Sequence, residues 1–262
     1  ADRSRGLGDV YKRQGQTRAG NRAASSHTGA MASNTRLFDA VCRQAGIVKV
    51  DQPMELLDLS AAFSSLPLPK GNRIAIMTLG GGWGVVTADL CSQFGLEVPD
   101  LSAALIARID KVLPPYWSRS NPIDLVGEND PSIPLAVMEA LLQWDGCDAV
   151  INLGILGRRI FLKRLAASVK HADPSYDPQF LDDTVKVFTD FENEYIEHIV
   201  KLMERTGKPV FGVSLLTDEK DATVYRIKDH DLKGVFFETP ERAVKAAARM
   251  VEYQHNLSRH AV

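Results

Sequence analysis

The segment RIAIMTLGGGWG, residues 73–84, joins a strand pattern directly to a helix pattern. Its first half is apolar almost throughout, which is typical of a strand that is buried on both faces of a sheet. Its second half is a run of glycines that opens a helical pattern. The segment DAVINL, residues 148–153, has the same character and also leads into a helix. Strands of this kind indicate a parallel sheet that is covered by helices.

Strand and helix patterns alternate through the larger part of the chain. The predicted strands lie at 73–79, 96–98, 123–126, 148–153, 209–214 and 234–237. The predicted helices follow the glycines up to about residue 94 and then lie at 102–112, 132–143, from about 158, 179–206, near 218–228 and 240–255. This alternation predicts an α/β fold: a doubly wound, mostly parallel, flavodoxin-like sheet with helices on both faces, over residues 70–258. Ligands bind such sheets beyond the carboxyl ends of the strands.

Two shorter segments precede this domain. Residues 1–14 contain GLGDVYKRQ, which looks like translated sequencing-adapter text, so we expect them to be a non-native leader. The segment 15–69 is predicted to contain an exposed loop at 15–33, a short helix at 35–45, a strand at 47–50 and a helix from 53 to about 65.

Composition narrows the class of protein. Of the 262 residues, 45% are hydrophobic and 24% are charged, as is usual for a soluble globular protein. The net charge of −2 gives no sign of a nucleic-acid or membrane-surface partner. No apolar run approaches the ~18 residues that span a membrane. Cys42, Cys91 and Cys147 form no C-x-x-C pair, so we expect free thiols in a reducing cytoplasm, and we predict no metal site.

A first candidate site is the glycine turn itself. Gly80, Gly81, Gly82 and Gly84 follow a strand and begin a helix, where backbone N–H groups and the helix dipole favour a phosphate. The turn is not a P-loop, because no Gly-Lys-Ser/Thr follows, and its third glycine comes one residue too early for the dinucleotide fingerprint. A tight turn without a ligand is the alternative.

A second candidate follows the strand at 148–153. Gly154, Gly157 and Arg158 lie in a turn where two successive arginines oppose the helix dipole, which favours an anion. The alternative is that both arginines reach solvent or pair with nearby acids. By contrast, Asn121 and Pro122 before the strand at 123–126 are expected to be architectural.

A third candidate is His27, which lies in the polar loop SSHTGA at residues 25–30. No apolar neighbour is present to pack it into a core. Neutral imidazole is a nucleophile, and an ordinary histidine is largely neutral at pH 7. On composition alone, an exposed histidine without a role remains the alternative.

These motifs resemble those of ADP-forming acetate–CoA ligases, in the succinyl-CoA synthetase superfamily. The resemblance extends over residues 15 to 258. The motifs that carry it, in order, are GNRAASSHTGAMA at 20–32, RQAG at 43–46, PLPKGNR at 67–73, the turn at 80–84, NPIDL at 121–125 and TPERA at 239–243. One departure is Trp83, since relatives usually have NSGGPG where this chain has LGGGWG at 79–84.

The resemblance implies a role for each candidate. Acyl-CoA, ADP and phosphate would be interconverted with a carboxylic acid, CoA and ATP, with His27 as catalytic phosphoryl carrier. The turn at 154–158 would match the phosphate-facing helix start of the succinyl-CoA synthetase β-subunit. CoA, ADP/ATP and Mg²⁺ would bind mainly to CoA-binding and ATP-grasp domains or subunits of an oligomeric enzyme. We expect these to lie outside this chain, so that the chain is truncated, inactive alone, and has at 15–69 only a remnant of the loop domain.

Two other functions stay open at this point. Some relatives fuse these domains to an acetyltransferase and use them as a ligand-sensing, non-catalytic module, but a sensor needs no phosphoryl carrier. A nucleotide-binding oxidoreductase is the third possibility. It is disfavoured because the dinucleotide fingerprint fails and no suitable acid lies about 20 residues beyond the glycines.

Overall fold

A computed structural model describes residues 10–12, 19–20, 22, 35–128, 130–173, 175, 177–218 and 222–260. His27, the candidate phosphoryl carrier, lies outside the described residues. No helix among the described residues is long and apolar enough to cross a membrane.

The described elements agree closely with the predicted alternation. The strands are β1 Val10–Lys12, β2 Val48–Val50, β3 Ile74–Thr78, β4 Ile123–Asp124, β5 Ala149–Leu153, β6 Val210–Val213, β7 Val224–Arg226 and β8 Lys233–Phe237. The helices are α1 Thr35–Ala45, α2 Pro53–Phe63, α3 Gly81–Gln93, α4 Ala103–Ile109, α5 Ser132–Gln143, α6 Arg158–Ala172, α7 Pro178–Thr206 and α8 Pro240–His260.

In the part of the chain that the structure describes, six strands form the main sheet, in the order β4-β3-β5-β6-β8-β7. All neighbouring strands run parallel except β7, which is antiparallel to β8. Every residue of β3, β5 and β6 is buried, as expected for strands covered on both faces. The predicted α/β fold with a mostly parallel sheet is therefore confirmed.

Helices cover both faces of this sheet. On one face, Thr78 of β3 points at α3, since a methyl group added at Gly84 would lie 3.1 Å from its Cγ2 atom. On the other, a methyl group added at Gly234 of β8 would lie 2.7 Å from Ile196 of α7. Helix α8 packs with α3, and α5 packs with α7, so each face has a layer of at least two helices.

The side chain of Asn121 extends the pairing of β3 beyond the short strand β4. Its Oδ1 accepts a hydrogen bond from the Ile76 N–H (2.9 Å), and its Nδ2 donates to the carbonyl oxygens of Ile74 (3.0 Å) and Pro99 (3.1 Å). The two bonds with Ile76 and Ile74 satisfy backbone groups of β3 that a longer β4 would otherwise pair. This is the architectural role expected of the Asn121-Pro122 dipeptide.

Two predicted elements were wrong. Where a helix was expected near 218–228, the described residues 222–228 contain strand β7 instead, because Tyr225 packs edge-to-face on Phe236 with ring centroids 5.6 Å apart. Pairing with the sheet edge thus outweighs the charged, helix-like local sequence. The strand expected at 96–98 is reduced to a single bridge between Arg73 and Glu97.

The elements before the sheet domain pack against it through α2. Helix α2 contacts α8, and the ring of Phe63 meets that of Tyr253 edge-to-face at 5.2 Å. Strand β1 pairs in parallel with β2, although Val10–Lys12 lies within the stretch expected to be a leader. The assignment of 1–14 as a leader, and the boundaries 15–69 and 70–258, stay predictions.

A buried ion pair joins α2 to α8. Asp58, which is 4% exposed, accepts hydrogen bonds from Arg242 Nε (3.0 Å) and Nη2 (2.6 Å). We expect Asp58→Ala to lower the free energy of unfolding by about 3 to 5 kcal/mol, because it leaves the Arg242 charge without its buried partner. Urea unfolding followed by circular dichroism measures this loss.

The matched control is Glu238→Gln, which removes the other carboxylate on the same arginine. Glu238 Oε2 lies 2.7 Å from Arg242 Nη1, but its side chain is 62% exposed. An exposed pair contributes only about 0–1 kcal/mol. Equal losses in the two variants would contradict the account of how α2 is held.

A second ion pair lies at the amino end of the sheet and joins β3 to β5. Asp148 accepts hydrogen bonds from Arg73 N (3.1 Å), Nε (2.9 Å) and Nη2 (2.8 Å). The Arg73 hydrogen bonds hold the pKa of the Asp148 carboxyl below its ordinary value, although burial opposes this. The carboxylate therefore stabilises the fold above the pKa it has when unfolded, and this contribution is lost as the pH falls through the folded pKa.

We expect Asp148→Asn to be less stable than the parent chain by a constant amount between about pH 8 and pH 5, and the difference to shrink below about pH 4. Thermal unfolding across this range measures it. Asp145→Asn, an exposed change in the same loop, serves as control and should show no such dependence. If the difference in stability between the parent chain and Asp148→Asn grew as the pH fell, the Asp148 carboxylate would not stabilise the fold in this way.

Candidate functional site

The two glycine turns that the sequence singled out lie side by side at the carboxyl edge of the sheet. Strands β3 and β5 are neighbours in register, with Thr78 opposite Leu153. The pairing continues past the strands, since Leu79 N–H donates to the Leu153 carbonyl oxygen at 3.3 Å. This edge is where α/β sheets bind ligands, so the topology brings the two turns to one place.

The first turn, at the start of α3, is open. Gly80, Gly81 and Gly82 are exposed, and a methyl group added at Gly82 would meet no atom within 4 Å. The Thr78 hydroxyl fixes the turn by donating to the Gly80 carbonyl oxygen (2.8 Å) and accepting from the Gly80 N–H (3.1 Å). Within the described part of the chain, the Gly81 and Gly82 N–H groups make no hydrogen bond.

Gly84 differs from the other three glycines of this turn. It is buried, and a methyl group added there would lie 3.0 Å from Pro122 Cβ. Its role is therefore to let α3 approach the segment before β4. A carboxylate also lies beside the turn: Asp124 Oδ2 would be 3.1 Å from a methyl group at Gly81, while its Oδ1 accepts from Val126 N–H at 2.8 Å.

The second turn, at the start of α6, is closed. All four residues from 154 to 157 are buried, and the Leu156 carbonyl oxygen accepts from Leu215 N–H at 2.7 Å. Gly157 has φ of 86°, and a methyl group added there would overlap the Leu216 carbonyl oxygen. Position 157 thus needs glycine for both its backbone conformation and its contact with the segment 214–217.

A carboxylate from α7 is hydrogen-bonded to the first turn of α6. Glu192 is 3% exposed; its Oε1 accepts from the Arg159 backbone N–H (3.0 Å) and its Oε2 from Arg159 Nε (3.0 Å). A hydrogen bond with the Gly157 backbone adds to these. Burial raises the pKa of Glu192, although the bonds with Arg159 and Gly157 pull that pKa the other way.

Arg158, the other arginine of this turn, is half-buried. Its guanidinium carbon lies 4.7 Å from the centroid of the Phe188 ring, within the range of a cation–π contact. Burial lowers the pKa of Arg158, and the charge of Glu192 opposes this. The first turn of α6 therefore contains two arginines beside one carboxylate of the protein itself, that of Glu192. Arg159 pairs with this acid, which is the alternative that the sequence left open.

Glu192 escaped the sequence analysis because it lies in a long, charged helical stretch. The signal was its spacing: Tyr195 and Ile199, three and seven residues on, are buried, so Glu192 falls on the same face of α7. An acid on a buried helical face needs a partner. As for metals, no group of three or more histidines, cysteines or acids among the described residues could hold an ion.

Comparison with known families identifies two domains. Residues 10–63 match a succinyl-CoA ligase like flavodoxin domain, and residues 74–161 match a ligase-CoA domain. Both matches agree with the resemblance inferred from the motifs, which is thereby confirmed. The first match includes His27, and the second includes both glycine turns.

Individual proteins that are similar to this chain have the names of ADP-forming CoA ligases. The chain is 30% identical over 169 residues to a 4-hydroxybutyrate–CoA ligase (ADP-forming) of Nitrosopumilus maritimus, covering 64% of this chain and 24% of that protein. It is 35% identical over 147 residues to the acetate–CoA ligase (ADP-forming) II subunit alpha of Pyrococcus furiosus, covering 56% and 32%. The chain thus spans about a quarter to a third of these relatives.

A solved structure has the same fold. It is the acetyl-coenzyme A synthetase 1 of Ca. Korarchaeum cryptofilum, determined in complex with phosphate and ADP. The match has a TM-score of 0.70 at 23% identity and covers 97% of this chain and 49% of that one. The chain therefore carries a succinyl-CoA ligase-like flavodoxin domain followed by a ligase-CoA domain, and it resembles one part of an ADP-forming acyl-CoA ligase.

Proposed function

We propose that this chain is part of an acyl-CoA synthetase that converts acyl-CoA, ADP and phosphate into a carboxylic acid, CoA and ATP. The observation that carries the proposal is the joint, ordered match to two ligase domains, with His27 inside the first. Relatives that are 30% and 35% identical have names that state ADP-forming CoA ligase activity. The acyl group is not part of the proposal.

His27 acts as the phosphoryl carrier in this scheme. Phosphate attacks the thioester carbonyl, so that the carbon–sulfur bond breaks and CoA leaves as its thiol. The neutral imidazole of His27 then attacks the phosphorus of the acyl phosphate and releases the carboxylate. The phosphoryl group finally passes from His27 to ADP, which forms ATP and regenerates the imidazole.

The carboxyl edge of the sheet supports the phosphoryl group in this proposal. Gly80, Gly81 and Gly82 offer exposed backbone at a helix start, and Gly84 lets that helix approach the sheet. Gly154, Gly157 and Arg158 form the neighbouring turn, where the Arg158 guanidinium would contact a phosphate oxygen. Both turns would face the phosphoryl group at the point where His27 delivers or receives it.

The proposed enzyme also needs cofactors and further domains or subunits. CoA, ADP/ATP and Mg²⁺ are proposed to bind mainly to CoA-binding and ATP-grasp domains or subunits, and the described residues offer no acidic cluster for Mg²⁺. One relative is itself a subunit alpha, which supports an arrangement of several domains or subunits. We also propose an oligomeric enzyme located in the cytoplasm.

A second candidate function is a ligand-sensing, non-catalytic module. The observation that favours it is the closed turn at α6, where the Glu192 carboxylate already accepts two hydrogen bonds from Arg159. A sensor would bind its ligand without forming a covalent phosphohistidine. Detection of that intermediate therefore separates the two functions.

The His27 assignment is tested on the protein encoded by the full-length gene. Incubation with γ-labelled ATP and Mg²⁺ is expected to give a protein-bound label that is labile to acid and stable to base, and His27→Ala is expected to abolish it. His255→Ala, at an exposed position on α8, serves as control and should keep the label. A label that persists in His27→Ala would contradict the assignment, and no label in the parent protein would favour the sensing module.

The α3 turn is tested with Gly82→Ala. The added methyl group meets no atom within 4 Å, and alanine is the better helix former, so the melting temperature should not fall. We expect the affinity for inorganic phosphate, measured by isothermal titration calorimetry, to drop by about tenfold because the methyl group blocks close approach of an anion to the backbone. Ser92→Ala, in the last turn of the same helix, is the control and should leave the phosphate affinity unchanged. If Gly82→Ala also leaves the affinity unchanged, the turn is only a tight connection and binds no phosphate.

A further inference from the structure

The start of α6 contains an anion that belongs to the protein itself. The Glu192 side chain is 4% exposed and accepts two hydrogen bonds from Arg159, one from the backbone and one from the guanidinium, each 3.0 Å long. A carboxylate at this place satisfies the Arg159 N–H group in the first turn of the helix and matches the helix dipole. These are the interactions that a bound phosphate would use.

We propose that Glu192 gates this turn, so that phosphate or a phosphoryl group binds at the start of α6 only after the Glu192–Arg159 pair opens. The inference rests on the proposed function, since it concerns the same turn of Gly154, Gly157 and Arg158. In the closed state Glu192 keeps the turn satisfied. In the open state the carboxylate leaves, and Arg159 joins Arg158 as a second cation that faces the ligand.

Electrostatics make the two states exclusive. A phosphate at the first turn of α6 would come within a few ångströms of the Glu192 carboxylate, and two anions at that distance in a buried place repel strongly. The charged groups that face Glu192 there are Arg158 and Arg159, both from α6. Two cations suit one bound phosphate, but they do not suit a phosphate and a carboxylate together.

The surroundings of the turn are consistent with a closed state that must open. The segment 214–217 covers it, with Leu215 N–H bonded to the Leu156 carbonyl oxygen at 2.7 Å and the Leu216 backbone against Gly157. In contrast, the neighbouring turn at α3 is exposed and has no acid bonded to its backbone within the described residues. The two turns of one site thus differ in access: at α6 the segment 214–217 covers the backbone, and Glu192 occupies the Arg159 N–H group.

The test compares phosphate binding by the 262-residue chain and its Glu192→Gln variant, measured by isothermal titration calorimetry. Glutamine keeps an oxygen acceptor for the Arg159 N–H but removes the charge, so we expect phosphate to bind about tenfold more tightly. Glu194→Gln removes the same charge from an exposed position two residues along α7 and should leave the affinity unchanged. Equal affinity in the parent chain and Glu192→Gln, or weaker binding in the variant, would overturn the gate.

A second measurement needs no variant and remains decisive if Glu192→Gln does not fold. In the parent chain, the NMR resonance of Arg159 Nε–H reports the bond to Glu192. The gate predicts that this resonance moves towards that of a solvent-exposed guanidinium as phosphate saturates the protein. Saturation without such a change overturns the gate alone, whereas a chain that binds no phosphate in either form contradicts both the gate and the proposed phosphate role of the turn.

Discussion

The parallel pairing of β3 with β5 sets the position of both glycine turns and of the helices that follow them. Both strands are buried along their whole length, so their register cannot slip without moving apolar side chains out of the core. Because the strands run in the same direction, the turns that follow them meet at one edge. The Arg73–Asp148 pair fixes the opposite end of the same two strands, where no ligand is proposed to bind.

The two turns at that edge differ in how far their backbone is exposed. At α3, the Thr78 hydroxyl fixes the turn, and the Gly81 and Gly82 N–H groups make no hydrogen bond to any described residue. At α6, the backbone is covered and Glu192 supplies an anion from a distant helix. The charge pattern, two arginines in a first helical turn, is the same whether the anion is internal or bound, and only the tertiary structure distinguishes the two cases.

The α/β fold and the positions of both glycine turns could be predicted from the sequence. The apolar strands at 74–78 and 149–153 and the glycines after them were sufficient for the fold and for both turns, because burial and backbone freedom leave a local signal. Glu192 could not be placed in the site, since its partner lies 33 residues away and only the packing of α7 on α6 brings them together. Strand β7 was missed because pairing at a sheet edge decided its conformation.

Hydrogen exchange of individual backbone amides distinguishes an open turn at α3 from a closed turn at α6. The account predicts that the Gly81 and Gly82 amides exchange almost as fast as those of an unstructured peptide, while the Arg159 amide, bonded to a buried carboxylate, is strongly protected. Phosphate should then slow exchange at Gly81 and Gly82. Fast exchange at Arg159, or strong protection of Gly81 and Gly82 without phosphate, would contradict the account.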